Sequence, residues 1–261
     1  MAEVAGLYYE LHGPPDAPPL ILSSGLGGSA SYWTPNLLAL ARHFRVLVYD
    51  HRGTGRSDRA LPEVVTVDDL ADDMGMLIDA QGWTRASVIG HAAGGVAGLA
   101  LARKADERLD KLVVINGWAK ADPHFLRCFE ARLNLLRHAG IQPFLRAQPI
   151  FLYPAEWISA HSDELDAELL HQVAAFPGVD SMEKRVAALA AFDATGWIGD
   201  LRAPMLALSA GDDMLVPWTC SGRLNGLNPR IHHMNMPWGG HACNVTDAAT
   251  FDRIVIDFLR S

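Results

Sequence analysis

Val88-Ile89-Gly90-His91-Ala92-Ala93-Gly94-Gly95 is the stretch on which the fold turns. Two β-branched residues end a strand, glycines let the chain bend sharply into a helix, and one residue projects from the bend. Every part of a GxSxG nucleophile elbow is present except the serine. Ala92 ends in a methyl group, which cannot attack a carbonyl. Three readings stay open: chemistry without a covalent intermediate, a non-catalytic binding protein on the same scaffold, or a serine hydrolase whose nucleophile has been replaced by Ala92.

Three other segments belong with the elbow. Ser23-Ser24-Gly25-Leu26-Gly27-Gly28-Ser29 is a glycine-rich turn after a predicted strand, suited to aiming backbone N–H groups at an anionic oxygen. Asp50-His51-Arg52-Gly53-Thr54-Gly55-Arg56-Ser57-Asp58 reads as a structural turn, with Arg52 tying loops together. Gly211-Asp212-Asp213-Met214-Leu215-Val216-Pro217 and Pro237-Trp238-Gly239-Gly240-His241-Ala242-Cys243-Asn244 follow the last two predicted strands. They put an acid and then a histidine downstream of the elbow, on loops at strand ends, where open α/β sheets gather their sites.

Short β-branched runs alternate with amphipathic segments, the pattern of a mostly parallel sheet covered by helices on both faces. Strands are predicted over 6–11, 20–23, 45–49, 86–90, 111–115, 205–209 and 231–234, and helices over 67–81, with Thr66 as N-cap, and 251–259. Residues 118–193 break the alternation. They read as helices only, with Pro123, Pro143, Pro149, Pro154 and Pro177 as breakers, and form a cap inserted into a core made of 1–117 and 194–261. Phe125, Phe129, Phe144, Phe151, Tyr153 and Trp157 are expected mainly to pack this cap onto the core, and no charged cluster in it names a substrate.

A formal charge of -8 without long single-sign runs argues against a nucleic-acid or membrane-surface partner. Cys128, Cys220 and Cys243 have no CxxC spacing, so neither a disulfide framework nor a zinc site is expected. With no secretory pattern at the start and no apolar run of about 20 residues, the expected setting is the cytoplasm and the expected partner a small molecule. Asn244-Val245-Thr246 matches a glycosylation sequon that a cytoplasm does not use. Gly25-Leu26-Gly27-Gly28-Ser29-Ala30, with Asp50 downstream, also satisfies a loose dinucleotide fingerprint. That fingerprint needs a helix starting at the glycines, whereas Thr34-Pro35 reads as an N-cap and first-turn proline several residues later.

These segments, in this order, resemble the α/β-hydrolase superfamily over nearly the whole chain, with the cap in the usual place. Within it, Asn116-Gly117-Trp118, the stretch Ala147-Gln148-Pro149-Ile150-Phe151-Leu152-Tyr153-Pro154-Ala155-Glu156-Trp157 and Gly239-Gly240-His241-Ala242-Cys243-Asn244-Val245-Thr246-Asp247 resemble the RutD family of bacterial pyrimidine utilisation. The resemblance implies a hydrolase of a small labile C–N compound, carbamate or aminoacrylate, and an elbow in which Ala92 is native. It assigns His241 as general base and Asp213 as its orienting carboxylate; the spacing to Val216 and Pro217 favours Asp213 over Asp212. Leu26 and Ala93 would supply oxyanion N–H groups, and Ser24, Gly25 and Trp118 would meet substrate. No cofactor or metal is implied, and a monomer or homodimer is expected. Ser23, Ser24 and Ser57 are weaker candidates for a displaced nucleophile. His91 and Cys243 read as packing residues, and Arg52 as only a remote option for a carboxylate clamp.

Overall fold

The computed structural model describes residues 2–261. Its eight strands are β1 (Ala2–Val4), β2 (Leu7–His12), β3 (Pro19–Ser23), β4 (Arg45–Tyr49), β5 (Ala86–His91), β6 (Leu109–Ile115), β7 (Met205–Ala210) and β8 (Ile231–Met236). They form one sheet in the order β1-β2-β4-β3-β5-β6-β7-β8, antiparallel at β1-β2-β4 and parallel from β4 onward. Apart from β1, the strands match the sequence expectation to within one or two residues at each end. β1 was not anticipated, because three residues are too few to show a period.

Strands β5 and β7 are buried along their whole length, because helices cover both faces of the sheet. On one face α1 (Thr34–Leu40) and the C-terminal helix α11 (Ala248–Arg260) pack as one cluster around Leu22, Trp33, Ile89, Phe251 and Val255. On the other, α2 (Val67–Ala80), α3 (Ala93–Ala105) and α9 (Trp218–Leu227) pack around Met74, Val88, Val96, Leu112 and Leu224. The start of α2 is fixed by a capping box, in which Thr66 accepts from Asp69 N–H and Asp69 accepts from Thr66 N–H. Thr34 is the first residue of α1 rather than its N-cap. A short 3-10 turn over Ala30–Trp33, begun by Ser29, occupies the preceding positions.

Between β6 and β7 lie five helices: α4 (Pro123–His138), α5 (Ile141–Leu152), α6 (Ala155–Ala160), α7 (Ser162–Ala175) and α8 (Val179–Ala191). The ends of this stretch meet through a Lys120–Asp193 bridge and an Ala194 N–H bond to Ala119 O at 2.7 Å. Phe125, Phe129 and Phe144 are buried in the same cluster as α2 and α3, with Phe151 packed against it. Pro149, expected as a breaker, lies inside α5, and the helix ends three residues beyond it at Leu152.

Candidate active site

The elbow is built by close approach. A Cβ on Gly90 would collide with the carbonyl of Gly94, and one on Gly94 with the carbonyl of Ser23, so neither position tolerates a side chain. Ala92 between them takes φ 46° and ψ -102°, a conformation that costs an L-residue on the order of 1–3 kcal/mol and is held only because its surroundings fix it. Its N–H donates to Ile115 O at 2.8 Å, and the Gly94 N–H donates to Ser24 O at 3.1 Å, tying the elbow to the glycine-rich loop after β3. Ala93 opens α3, so its N–H has no carbonyl one turn back in the helix. The Leu26 carbonyl receives Nε and Nη2 of Arg185, from α8, at 3.2 and 3.0 Å, which fixes the loop that carries the Leu26 N–H.

His241 and Asp213 meet at 2.8 Å, Nδ1 to Oδ2, with both side chains buried. The other carboxylate oxygen of Asp213 accepts from Leu215 and Val216 N–H at 2.8 and 2.9 Å. With Nδ1–H donated to the carboxylate, the lone pair of His241 is on Nε2. The neighbouring Asp212 does different work. Its two oxygens accept from Gly240 and Gly239 N–H at 2.9 and 3.3 Å and shape the turn that precedes His241.

The backbone of His241 is clamped from two sides. Asn116, at the end of β6 with φ 47°, donates from Nδ2 to His241 O at 2.7 Å and accepts the Ala210 N–H at 3.1 Å. His91 donates from Nε2 to the same His241 oxygen at 2.8 Å, and its ring lies 4.6 Å from the His241 ring and 5.0 Å from Tyr32. His91 packs as its sequence setting suggests, buried at the end of β5, and it also holds a carbonyl 150 residues distant along the chain, a contact that the sequence does not show. Burial, and then the repulsion that two charged imidazoles would meet at this distance from His241, hold His91 well below the usual histidine range, so it is neutral. Its Nδ1 lone pair, which a side chain on Gly25 would strike at 2.8 Å, has no partner among the described residues.

The remaining candidates sort by their contacts. Ser23 bonds Tyr49 Oη and His51 Nε2 at 2.8 and 3.1 Å, and Ser57 donates to Asp50 O while accepting the Tyr8 N–H, so both hydroxyls serve the framework. Ser24 Oγ and Trp118 Nε1 are buried without a partner among the described residues. Arg52 pairs with Asp73 and the Ala5 carbonyl, away from the elbow. Cys243 is fully buried, and burial pushes its thiol up to about 12. Asn244 is equally buried, bonded to Tyr32 and Asn36, which leaves the sequon unreachable. Asp50 is occupied by Ala30 N–H and by Arg56, and the glycine loop leads into the short 3-10 turn over Ala30–Trp33, with the α-helix starting only at Thr34, so the dinucleotide arrangement is not formed. Among the described residues no group of three or more His, Cys, Asp or Glu is gathered as for a metal, and no helix is long and apolar enough to cross a membrane.

Residues 18–248 match the family described as alpha/beta hydrolase fold. A protein of Caulobacter sp. (strain K31) named "Putative carbamate hydrolase RutD" is 50% identical over 258 residues, covering 98% of this chain and 96% of that protein. A protein of Pantoea ananatis (strain LMG 20103) with the same name is 44% identical over 256 residues, covering 97% and 93%. Among solved structures, the enol-lactonase from Burkholderia xenovorans LB400 has a TM-score of 0.88 at 26% identity, covering 98% of this chain and 96% of that one. MGS-M2, an alpha/beta hydrolase enzyme from a deep-sea metagenome library, has a TM-score of 0.89 at 19% identity, covering 98% and 94%, a likeness of fold alone. Relatives of this identity and coverage, on this fold, show that the chain belongs to the RutD family of the α/β-hydrolase superfamily.

Proposed function

We propose that the chain hydrolyses a small, labile C–N compound, carbamate or aminoacrylate, by activating water rather than by forming a covalent intermediate. The observation that carries this reading is the buried His241–Asp213 pair beside an elbow whose projecting residue is Ala92. His241 Nε2 takes a proton as the water oxygen bonds to the substrate carbon. The same proton then passes to the nitrogen as the C–N bond breaks and ammonia leaves. Leu26 and Ala93 N–H groups face the negative charge that develops in between. His91 and Asn116 hold the His241 backbone against recoil from the Asp213 side.

The chemistry asks little of the protein because the substrate is already unstable in water. In enzymes of this type, an oxyanion hole and binding alone retain about 10³–10⁴ of catalysis over water when the triad is broken. The names of the relatives, carbamate hydrolases, support the substrate class. Turnover above the spontaneous rate is measured for the intact chain, His241→Ala and Asp213→Asn. The expected outcome is a fall of about 10³–10⁴ in kcat for Asp213→Asn, whose imidazole would hold the wrong tautomer, and a fall at least as large for His241→Ala, to the level that the oxyanion hole and binding alone retain. Equal rates in all three would sink the proposal.

A further inference from the structure

Arg132 sits on α4 in the helical stretch between β6 and β7 and is only 5% exposed. Its guanidinium lies among the rings of Phe129, Phe144 and Phe151, at 5.0, 5.9 and 5.5 Å from their centroids. Nη2 donates to Gln148 Oε1, and the Gln148 amide is itself fixed by donating to Phe144 O at 3.1 Å. Nε and Nη1 find no acceptor among the described residues, and no carboxylate among them pairs with the side chain. Burial pulls the guanidinium down to about 10, so it still carries its charge at neutral pH. A buried cation in an aromatic cage with unmade hydrogen bonds is half of an ion pair.

Its position says where the other half comes from. One turn earlier on the same helix face, Cys128 Sγ lies 3.8 Å from Met214 O, in the loop that carries Asp213. The Phe151 ring precedes Leu152, whose carbonyl takes the Ala242 N–H at 3.0 Å, next to His241. Arg132 is therefore bracketed by the two segments that touch the Asp213 and His241 loops. Ser24, His91 and Trp118, the core residues with unpartnered buried polar atoms at the elbow and its flanking loops, complete the picture. With Arg132 they are four of the six residues bearing such atoms.

We propose that Arg132 is the anion anchor of this site, receiving the planar CO2⁻ group of a small monoanionic substrate. Guanidinium is the side chain best matched to that group, and here the aromatic cage excludes the water that would otherwise weaken the contact. The anchor rests on the reading that the site takes a small anionic C–N compound.

Propionate, an unreactive three-carbon carboxylate, and propionamide, its neutral counterpart, serve as probes in NMR titrations of the full chain and of Arg132→Met. The full chain is expected to bind propionate at least tenfold more tightly than propionamide, and Arg132→Met to bind the two alike. The Arg132 Nε–H resonance, identified by its loss in Arg132→Lys, is expected to shift with propionate and not with propionamide. This last readout uses the unaltered fold and needs no stable methionine variant. In turnover of aminoacrylate, whose carboxylate is not the reacting group, Arg132→Met is expected to raise KM at least tenfold with kcat little changed, the mark of an interaction present equally in ground and transition states. Equal binding of both probes to the full chain, a preference that survives in Arg132→Met, or an unmoved Nε–H resonance would overturn the anchor. Turnover that is indifferent to His241→Ala, with the propionate preference intact, would instead remove the hydrolytic reading and leave the anchor standing.

Discussion

Two arginines, both on helices between β6 and β7 and both buried, have opposite surroundings. Arg185 on α8 spends its donors on Leu26 O, Arg52 O and His51 Nδ1, at 3.0 to 3.2 Å. The His51 ring then passes the network to Ser23 and Tyr49. Arg132 on α4 makes a single hydrogen bond among the described residues, to Gln148, and leaves Nε and Nη1 unused there. Burial lowers both to about 10, so the difference is not one of charge. It is one of completion. Arg185 is a finished bracket holding the helices against the glycine loop, whereas Arg132 is built to be finished by something that arrives.

The comparison breaks if the two arginines respond alike to the same substitution. Arg185→Met strands two backbone carbonyls and an imidazole nitrogen in the interior and is expected to cost about 3–5 kcal/mol in denaturant unfolding. A cost under about 1 kcal/mol would mean that the bracket is ornamental.

An intermediate case sharpens the contrast. Asp252 on α11 is buried with one partner among the described residues, Asn36, at 2.9 Å, and burial raises its carboxyl to about 6 from an ordinary 3.8. The folded state then holds the proton more tightly than the unfolded one. Stability from this group is present below about pH 4 and is lost as pH rises through about 6. After discounting for solvent screening, Asp252→Asn is expected to gain about 1 kcal/mol at pH 7 and nothing at pH 4. Equal gains at both pH values would count against the titration.

Arg132→Met should have the smallest effect on folding, within about 1 kcal/mol of the parent. Relief of an unpaired buried charge offsets the lost aromatic contacts and the one hydrogen bond. A loss as large as that of Arg185→Met would make Arg132 structural.

Neither arginine's role was legible in the sequence, though a trace of each is there. Phe125, Cys128, Phe129, Arg132 and Leu136 lie on one stripe of α4, and Met182, Arg185, Val186 and Leu189 on one stripe of α8. A lone cation at an apolar helical position signals burial. It does not say whether partners wait 159 residues upstream, as Leu26 does for Arg185, or are missing altogether. The same limit hid the grip of His91 on His241. By contrast, the strands, the glycine elbow and the loops bearing Asp213 and His241 are local patterns. Each is dictated by side-chain period or by a backbone that admits only glycine, so they could be read without knowing what they touch. Pro149 misled for the converse reason: a proline's effect depends on where it falls in a helix, which only the finished helix shows.

The methyl group of Ala92 has one more consequence. A hydrolase with a serine at its elbow can be trapped there by a phosphonate or fluorophosphonate, and it can hand its acyl group to an alcohol or amine in place of water. This chain has no side-chain atom at that position on which a reagent or an acyl group could be stored. Serine-directed activity probes should pass the elbow by unlabelled. On the proposed route the substrate carbon meets water directly, with no stored acyl group to share.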